Sequence, residues 1–536
     1  MHFLISNLRL PLSYGETELK KAAAGKAGLK PEQIRSLRLV RRSLDARKKE
    51  DIHYQAQVEI TCDGAGEKLL KRGNNPSVKP HPKEKQAPLA IRRDSISGRC
   101  VVVGLGPGGL FAALELARYG FAPLVIERGR PVEQRVRDVE QYWETGKLNL
   151  SSNVMFGEGG AGTFSDGKLT SRSKDPRSGR VLELLYGAGA PEEILFEAKP
   201  HIGTDRLRQV VTGLREEIIA LGGEVRFETA LTDIRMEKGC LREVCILGPG
   251  GEEWIPCEHL VLAIGQGARD TVRMLHGRGI PMEKKPFAAG VRIEHPQKLI
   301  NLAQYGPLAD SPHLGAAEYR ITAQAGDRGV YSFCMCPGGY VVASASGEEQ
   351  VVVNGMSNLA RDGENANAAL VVQVRPEDVP EGPLGGIEFC EAMEKATFLA
   401  GGGKGKAPAE RVSDFMKKRT PTGFGKVQPT YRPGVVPVDL WQVLPPFIAQ
   451  ALFEALPVFA RQIRGFDLED AILTAVESRT SAPYRILRGA DLCSVGCSGL
   501  YPIGEGAGYA GGIVSSAIDG LKAAEAVITG TAPAKY

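Results

Sequence analysis

An α/β fold built around a parallel, helix-covered sheet is what the sequence predicts, with a mixed domain set into it and a small module in front. Three observations carry this. Cys100–Val103 reads as a short buried strand that passes through a Gly-rich turn into a helix at Leu110–Tyr119 and on to a second buried strand at Pro123–Ile126, the β-α-β unit of a doubly wound sheet. The end of the chain repeats the arrangement, with strand Leu500–Ile503, turn Gly504–Gly512 and helix Ile513–Ile528, so the sheet is assembled from separated stretches. The beginning alternates apolar and polar residues over Phe3–Leu10, takes helical spacing from Glu16 to Leu29, and alternates again at Leu37–Val40 and Ile52–Ile60.

A length of 536 residues exceeds one ordinary core and allows two or three domains that need no covalent staples. Residues 1–95 form a small basic module ending in a linker, which starts at Asn74-Asn75-Pro76-Ser77 and runs through polar, Pro- and Lys-bearing sequence to Gly98. Residues 99–274 and 466–536 form the discontinuous nucleotide-binding domain. Within it a helix near Arg206–Ala220 precedes strand-like pieces at 224–229, 231–236, 241–247 and 253–257, read as an antiparallel meander, before the buried strand Leu260–Ile264 returns to the parallel sheet. Residues 275–465 form a substrate domain with strands at Ala289–Ile293, Gly329–Cys334, Tyr340–Ser344 and Val351–Asn354 and a helix at Gln442–Leu456. The expected class is therefore α/β: a Rossmann-like domain with an antiparallel meander, a mixed α+β substrate domain, and a small N-terminal β-α-β-β domain of ferredoxin-like type.

The net charge of +4 is modest but uneven, since residues 1–99 carry about +10. A solvated face explains such a bias, and a nucleic-acid or acidic partner is the alternative. The ten cysteines are scattered and no signal-peptide pattern precedes them, which predicts a reducing, cytoplasmic setting. No apolar run has the length and freedom from charge of a membrane span.

The strongest motif is Gly104-Leu105-Gly106-Pro107-Gly108-Gly109 between strand and helix. Gly104 permits the tight turn, Gly106 lets the backbone approach a pyrophosphate, and Gly109 allows close helix-to-strand contact, while the helix N-terminus offers amide donors. Glu127, followed by Arg128, ends the second strand, where a carboxylate accepts from adenosine ribose hydroxyls and repels a 2′-phosphate; this favours FAD or NAD over NADP. The C-terminal turn decides between the two, because Gly504, Glu505, Gly511, Gly512 and Ile513 occupy a place that NAD dehydrogenases leave unused. The turn resembles that of glutathione-reductase-like flavoproteins, in which an acidic residue holds the ribityl-pyrophosphate region and the next helix points at the flavin N1–O2 edge. Glu505 stands where that superfamily more often has Asp. Ala263-Ile264-Gly265 resembles its Ala-Thr-Gly stretch without the hydroxyl, and the Gly157–Lys168 loop supplies Gly160, Ala161 and Gly162 along the flavin.

Over nearly the whole chain, Ser43–Lys49, Phe156–Lys168, Ala268–Thr271, Phe333–Gly339, Arg361–Leu370 and Gly499–Ile513 resemble a bacterial family of uncharacterised FAD-dependent dehydrogenases with a small N-terminal domain. The resemblance implies the fold and FAD and carries no settled substrate; NAD(P)H, bound transiently without a dinucleotide fold of its own, is a separate candidate as reductant.

Flavin disulfide reductases carry a cysteine pair after the first helix, and residues 101–239 hold none, which excludes that class. No second strand–GxGxxG–helix unit is present; Gly401–Lys406 lacks a preceding buried strand. Candidate chemical groups are His201, Arg479 as a cation for a substrate carboxylate or reduced flavin, and the pair Cys334 and Cys336. Strand geometry would put those two sulfurs on one face, as small hydrophobes or as a redox or substrate contact. Arg269 and Asp270 read as domain bridges, and no metal site is predicted. The expected activity is hydride transfer between non-covalent FAD and a small or lipid-like organic substrate. The alternatives are a flavoprotein acting on RNA through the basic module and a flavin-bound sensor.

Overall fold

The computed structural model describes residues 1–82, 89–91, 99–171 and 173–532. The domain boundary expected near residue 95 and most of the linker's second half lie outside these. The N-terminal module is a four-stranded antiparallel sheet of order β2-β3-β1-β4, formed by β1 (His2–Leu10), β2 (Ile34–Asp45), β3 (His53–Cys62) and β4 (Val78–Pro80), with α1 (Glu16–Ala27) and α2 (Gly64–Arg72) between them. The expected β-α-β-β pattern is thus completed to β-α-β-β-α-β, the split βαβ arrangement. Its last strand comes from the start of the segment read as linker, because three residues are too few to show alternation. Arg42 ties the module to the rest: its guanidinium bonds Glu197 and the Tyr14 hydroxyl and lies over the rings of Tyr54 and Phe196.

The second sheet follows from β5 (Arg99–Val103), α3 (Pro107–Arg118), β6 (Leu124–Ile126), α4 (Val132–Thr145), α5 (Arg177–Gly187), α6 (Thr204–Ala220), β7 (Glu224–Arg226), β8 (Ala230–Glu237), β9 (Cys240–Gly248), β10 (Gly251–Leu262) and α7 (Arg269–Gly277). Its strands run β7-β6-β5-β10-β9-β8. Two readings from sequence are corrected here. The piece at 224–229 is the edge of the parallel layer rather than the start of the meander, pairing with β6. The pieces at 253–257 and 260–264 are one strand, whose first half pairs antiparallel with β9 and whose second half, past a register shift between Cys257 and His259, pairs parallel with β5. A period-two pattern cannot show one strand serving two layers.

The middle region contains β11 (Met282–Lys284), β12 (Phe287–Pro296), α8 (Gln297–Tyr305), β13 (Thr322–Ala325), β14 (Arg328–Cys336), β15 (Tyr340–Ala343), β16 (Val353–Met356), β17 (Asn365–Val374), α9 (Gly385–Ala400), β18 (Ala407–Arg411), α10 (Val412–Lys417), β19 (Val435–Pro437), α11 (Pro446–Gln462) and β20 (Ile472–Glu477). Its large sheet has the order β13-β14-β17-β12-β20-β18-β19. β20 lies in this sheet, beyond the 465/466 division expected from sequence. The chain then returns through β21 (Tyr484–Ile486), which pairs with β11, to β22 (Leu500–Pro502), which pairs parallel with β10, and ends in α12 (Ile513–Thr529).

α3 starts at Pro107, whose missing N–H costs nothing in the first turn. It buries every residue from Gly108 to Ala117, and the side chains of Leu110, Phe111, Leu114 and Leu116 each contribute about 1.5–3 kcal/mol. Against it packs α12, so closely that a Cβ on Gly520 would lie 2.1 Å from the Gly108 carbonyl oxygen. Both helix N-termini thereby reach the same end of the parallel strands. No described helix is long and apolar enough to cross a membrane.

Candidate functional site

At that end lies a cleft of about 370 Å³, walled on one side by the parallel sheet and on the other by the middle sheet. The first wall is mostly backbone. Gly104 takes φ +94°, and a Cβ there would sit 2.4 Å from the Ala263 carbonyl oxygen; at Gly109 it would sit 1.8 Å from that of Gly104. Only glycine permits this turn. The N-cap residues of α3 and α12 are Gly106 and Gly512, neither of which offers a side-chain cap, so the first amides of both helices remain available to an anion. Gly265 and Gly511 line the cleft with nothing within 4 Å of where a Cβ would project.

Sixteen of the seventeen expected cofactor residues line this cleft: Gly104, Gly106, Pro107, Gly108, Glu127, Arg128, Gly160, Ala161, Gly162, Ala263, Gly265, Gly504, Glu505, Gly511, Gly512 and Ile513. Gly109 sits behind them as the close contact. Glu127 is already engaged, accepting from the backbone amides of Leu105 (2.8 Å), Gly129 (2.9 Å) and Gly157 (2.9 Å), which leaves its carboxylate one open direction rather than the two sought for paired ribose hydroxyls. Arg128 bonds Asp270 and Thr271 and lies 4.5 Å over the Phe156 ring. Gly504 is held by the Asp519 carboxylate at 2.7 Å. Glu505 accepts from Gln266 at 2.8 Å, and burial, against the pull of Lys285, pushes its carboxyl up to about 7.

The Gly157–Gly160 loop owes its shape to a residue that the sequence reading did not single out. Arg135 of α4 is wholly buried and donates to the carbonyls of Asn153, Val154, Gly157, Glu158 and Gly160. One guanidinium thus reaches five carbonyls of the loop, of which those of Gly157 and Glu158 also accept from the Gly160 amide and the Thr163 hydroxyl, and burial lowers its pKa to about 10.

The facing wall is made of side chains. Arg479 lines the cleft, yet its guanidinium is committed to Glu394, Ser346 and Gln350. Arg269 holds the same Glu394 through two bonds of 2.8 Å, and against the upward push of burial the two arginines keep that carboxyl at about 2. Arg479 is therefore a committed ion-pair partner rather than a free cation, correcting its expected role; Arg269 reaches across to Glu394, while Asp270, expected to bridge with it, pairs with Arg128 of its own segment. His201 bonds the Leu359 carbonyl at 3.3 Å outside the lining, and burial lowers its pKa. The regular strand expected at Cys334 and Cys336 is broken. β14 shifts register between Phe333 and Cys336, Cys334 takes φ +43°, and it lines the cleft while Cys336 lies buried behind. Asp166 and Lys168 face them, with Arg361 held bidentate on Asp166. Arg292 and Glu477 form a buried pair at 2.9 Å on β12 and β20. Their signal in the sequence was the charged Arg292, Glu294 and His295 inside an otherwise apolar strand.

An uncharacterized protein of Clostridium beijerinckii is 49% identical over 531 residues, covering 98% of this chain and 99% of that one. The chain belongs to that protein's family. Within the family architecture, residues 286–480 match the model described as FAD-dependent protein, C-terminal domain-like, and residues 1–61 match a domain of unknown function. The first match supports FAD as the cofactor and a flavoprotein oxidoreductase as the broad class. Among solved structures, the flavin-dependent brominase Bmp2 aligns at 12% identity over 81% of this chain and 79% of that one, with a TM-score of 0.36. A geranylgeranyl bacteriochlorophyll reductase-like protein from Thermoplasma acidophilum aligns at 12% over 80% and 77%, with a TM-score of 0.35.

Proposed function

We propose that the protein is a cytoplasmic oxidoreductase of the glutathione-reductase-like superfamily that transfers hydride between non-covalently bound FAD and a small or lipid-like organic substrate admitted between the two walls. The observation that supports this most is the meeting of two uncapped helix N-termini and two open, side-chain-free glycines in one cleft. FAD would supply the two-electron chemistry; the protein positions it and sets its electrostatics. The Gly104–Gly109 turn and the α3 amides fit the pyrophosphate, and Glu127 keeps one acceptor direction for a ribose hydroxyl. Gly160, Ala161, Gly162 and Gly265 offer bare backbone to a flat ring. The positive end of α12, with Gly511, Gly512 and Ile513, favours negative charge on whatever lies against it. Glu505, with its raised pKa, is able to hold a proton near neutral pH.

The purified chain should carry about one FAD, released on denaturation, and anaerobic NAD(P)H should bleach it. Gly511→Val, which fills open space, is expected to lower FAD content while leaving the melting temperature of the cofactor-free chain unchanged. A folded chain that takes up no FAD on reconstitution would overturn the reading.

A further inference from the structure

Buried cysteines in this fold behave as small hydrophobes: burial pushes the thiols of Cys257, Cys390 and Cys497 up to about 12. Cys334 and Cys336 sit in different surroundings. The bulge in β14 takes Cys334 out of the ladder and into the cleft wall, at a left-handed backbone angle that costs a non-glycine residue and persists only where its surroundings fix it. Behind it, Cys336 pairs in register with Asn367, and its sulfur lies 3.3 Å from the Cys334 carbonyl oxygen.

Two cations from different domains clamp this segment. The wholly buried Arg292 donates to the Cys334 carbonyl at 3.2 Å and to Asn367 at 2.6 Å, and stands 3.9 Å from the Cys336 sulfur. Lys168, from the Gly157–Lys168 loop, donates to the Met335 carbonyl and pairs with Asp166 at 3.2 Å. The groups acting on the sulfurs are thus Lys168 and Arg292 on the positive side and Asp166, Glu477 and Glu505 on the negative. A hydrogen bond from the Cys336 thiol, then Lys168 and Arg292, hold the Cys334 thiol below its usual range in spite of burial, while Cys336 keeps its proton. Burial alone would lower Lys168, but the two sulfurs and Asp166 raise it, so the cation persists beside them.

We propose that Cys334 and Cys336 are a redox-active dithiol that opens onto the cleft through Cys334, and that the protein's substrate class is the disulfides. This deepens the proposed function and rests on that reading only for the cleft as the working site. The pair comes from the middle sheet, so the exclusion drawn from residues 101–239 applies to the other placement alone. The Cys334 thiolate attacks one sulfur of R–S–S–R, forming a mixed disulfide and expelling R–S⁻. Cys336 then gives its proton to that thiolate, and its sulfur displaces the second R–S⁻ from Cys334. The protein ends with a Cys334–Cys336 disulfide, and the external disulfide, having gained two electrons, leaves as one R–SH and one R–S⁻.

The test uses the full-length protein, reduced, desalted and treated anaerobically with hydroxyethyl disulfide, a small uncharged probe. Trypsin releases the peptide between Arg328 and Arg361, which contains these two cysteines and no other. That peptide is expected to lose two hydrogens before any other cysteine reacts. C336S should stop at the probe's mixed disulfide on Cys334, and C334S should block reaction in this peptide. Alkylation of Cys334 should titrate below the ordinary thiol value of about 8.5, with K168Q slowing it about tenfold at neutral pH and K168R restoring it. The proposal is overturned if Cys334 reacts no faster than Cys240 or Cys493, if the native chain also stops at the mixed disulfide, or if K168Q leaves the titration unmoved. Flavin content measured on every sample separates failure of this proposal from failure of the flavin reading.

Discussion

The two walls of the cleft are built on opposite principles. The wall from the parallel sheet presents mostly glycines and helix ends, so its shape is backbone shape; the facing wall presents Arg479, Glu477 and Cys334, held by buried ion pairs and by the bond that Lys168 sends across to the Met335 carbonyl. The backbone wall tolerates no added atom at Gly104 or Gly109, whereas the side-chain wall tolerates no lost charge. Each therefore fails in its own way, and the variants below separate them.

The largest effect is expected where the backbone wall depends on one side chain. Arg135→Met leaves five carbonyls without their shared donor and should cost more than about 5 kcal/mol, with flavin lost even from the folded fraction; denaturant unfolding and absorbance would show it. A small cost would mean that the Gly157–Gly160 loop holds its own shape. On the facing wall, Glu394→Gln leaves Arg479 buried without its countercharge and Arg269 with only the longer 3.7 Å contact to Glu391, and a loss of about 3–5 kcal/mol is expected. Retention of stability there would show that the two walls are joined by packing alone.

The smallest effect, and the most specific, concerns Glu505. Its folded pKa of about 7 stands above the ordinary 4.5, so its stabilising share is present below 4.5 and is lost as pH rises through 7. Glu505→Gln mimics the protonated form. In the cofactor-free chain its melting temperature should gain on that of the native chain between those two pH values and hold a constant lead above them. A difference independent of pH would show that the carboxyl ionises normally.

The same division decides what the sequence made legible. Glycine spacing reports backbone shape directly, so Gly104–Gly109, the Gly157–Lys168 loop and Gly504–Gly512 could be assigned to one site from residue order. The βαβ core and the N-terminal pattern were legible from apolar periodicity, which reports the buried face of each element. What was hidden depends on long-range pairing. β10 serves two layers, and β20 joins the middle sheet although it lies close to the C-terminal turn. Arg135 projects from an ordinary amphipathic helix and has no motif. Cys334 and Cys336 were visible as a pair, but strand periodicity carries no sign of the bulge that turns Cys334 into the cleft wall.

The threading of the chain has a consequence for when a cofactor can be captured. β5 forms near the start of the nucleotide-binding part, but its neighbour β10 comes much later in synthesis, and β22 and α12 arrive last of all. A nascent chain holding only the first glycine turn has one wall edge, no second helix end and an unfilled groove on α3 where Gly520 will press. Capture of a dinucleotide therefore belongs after the C-terminal helix has docked, and a chain truncated before α12 should fold its N-terminal module while leaving the apolar face of α3 exposed to aggregation.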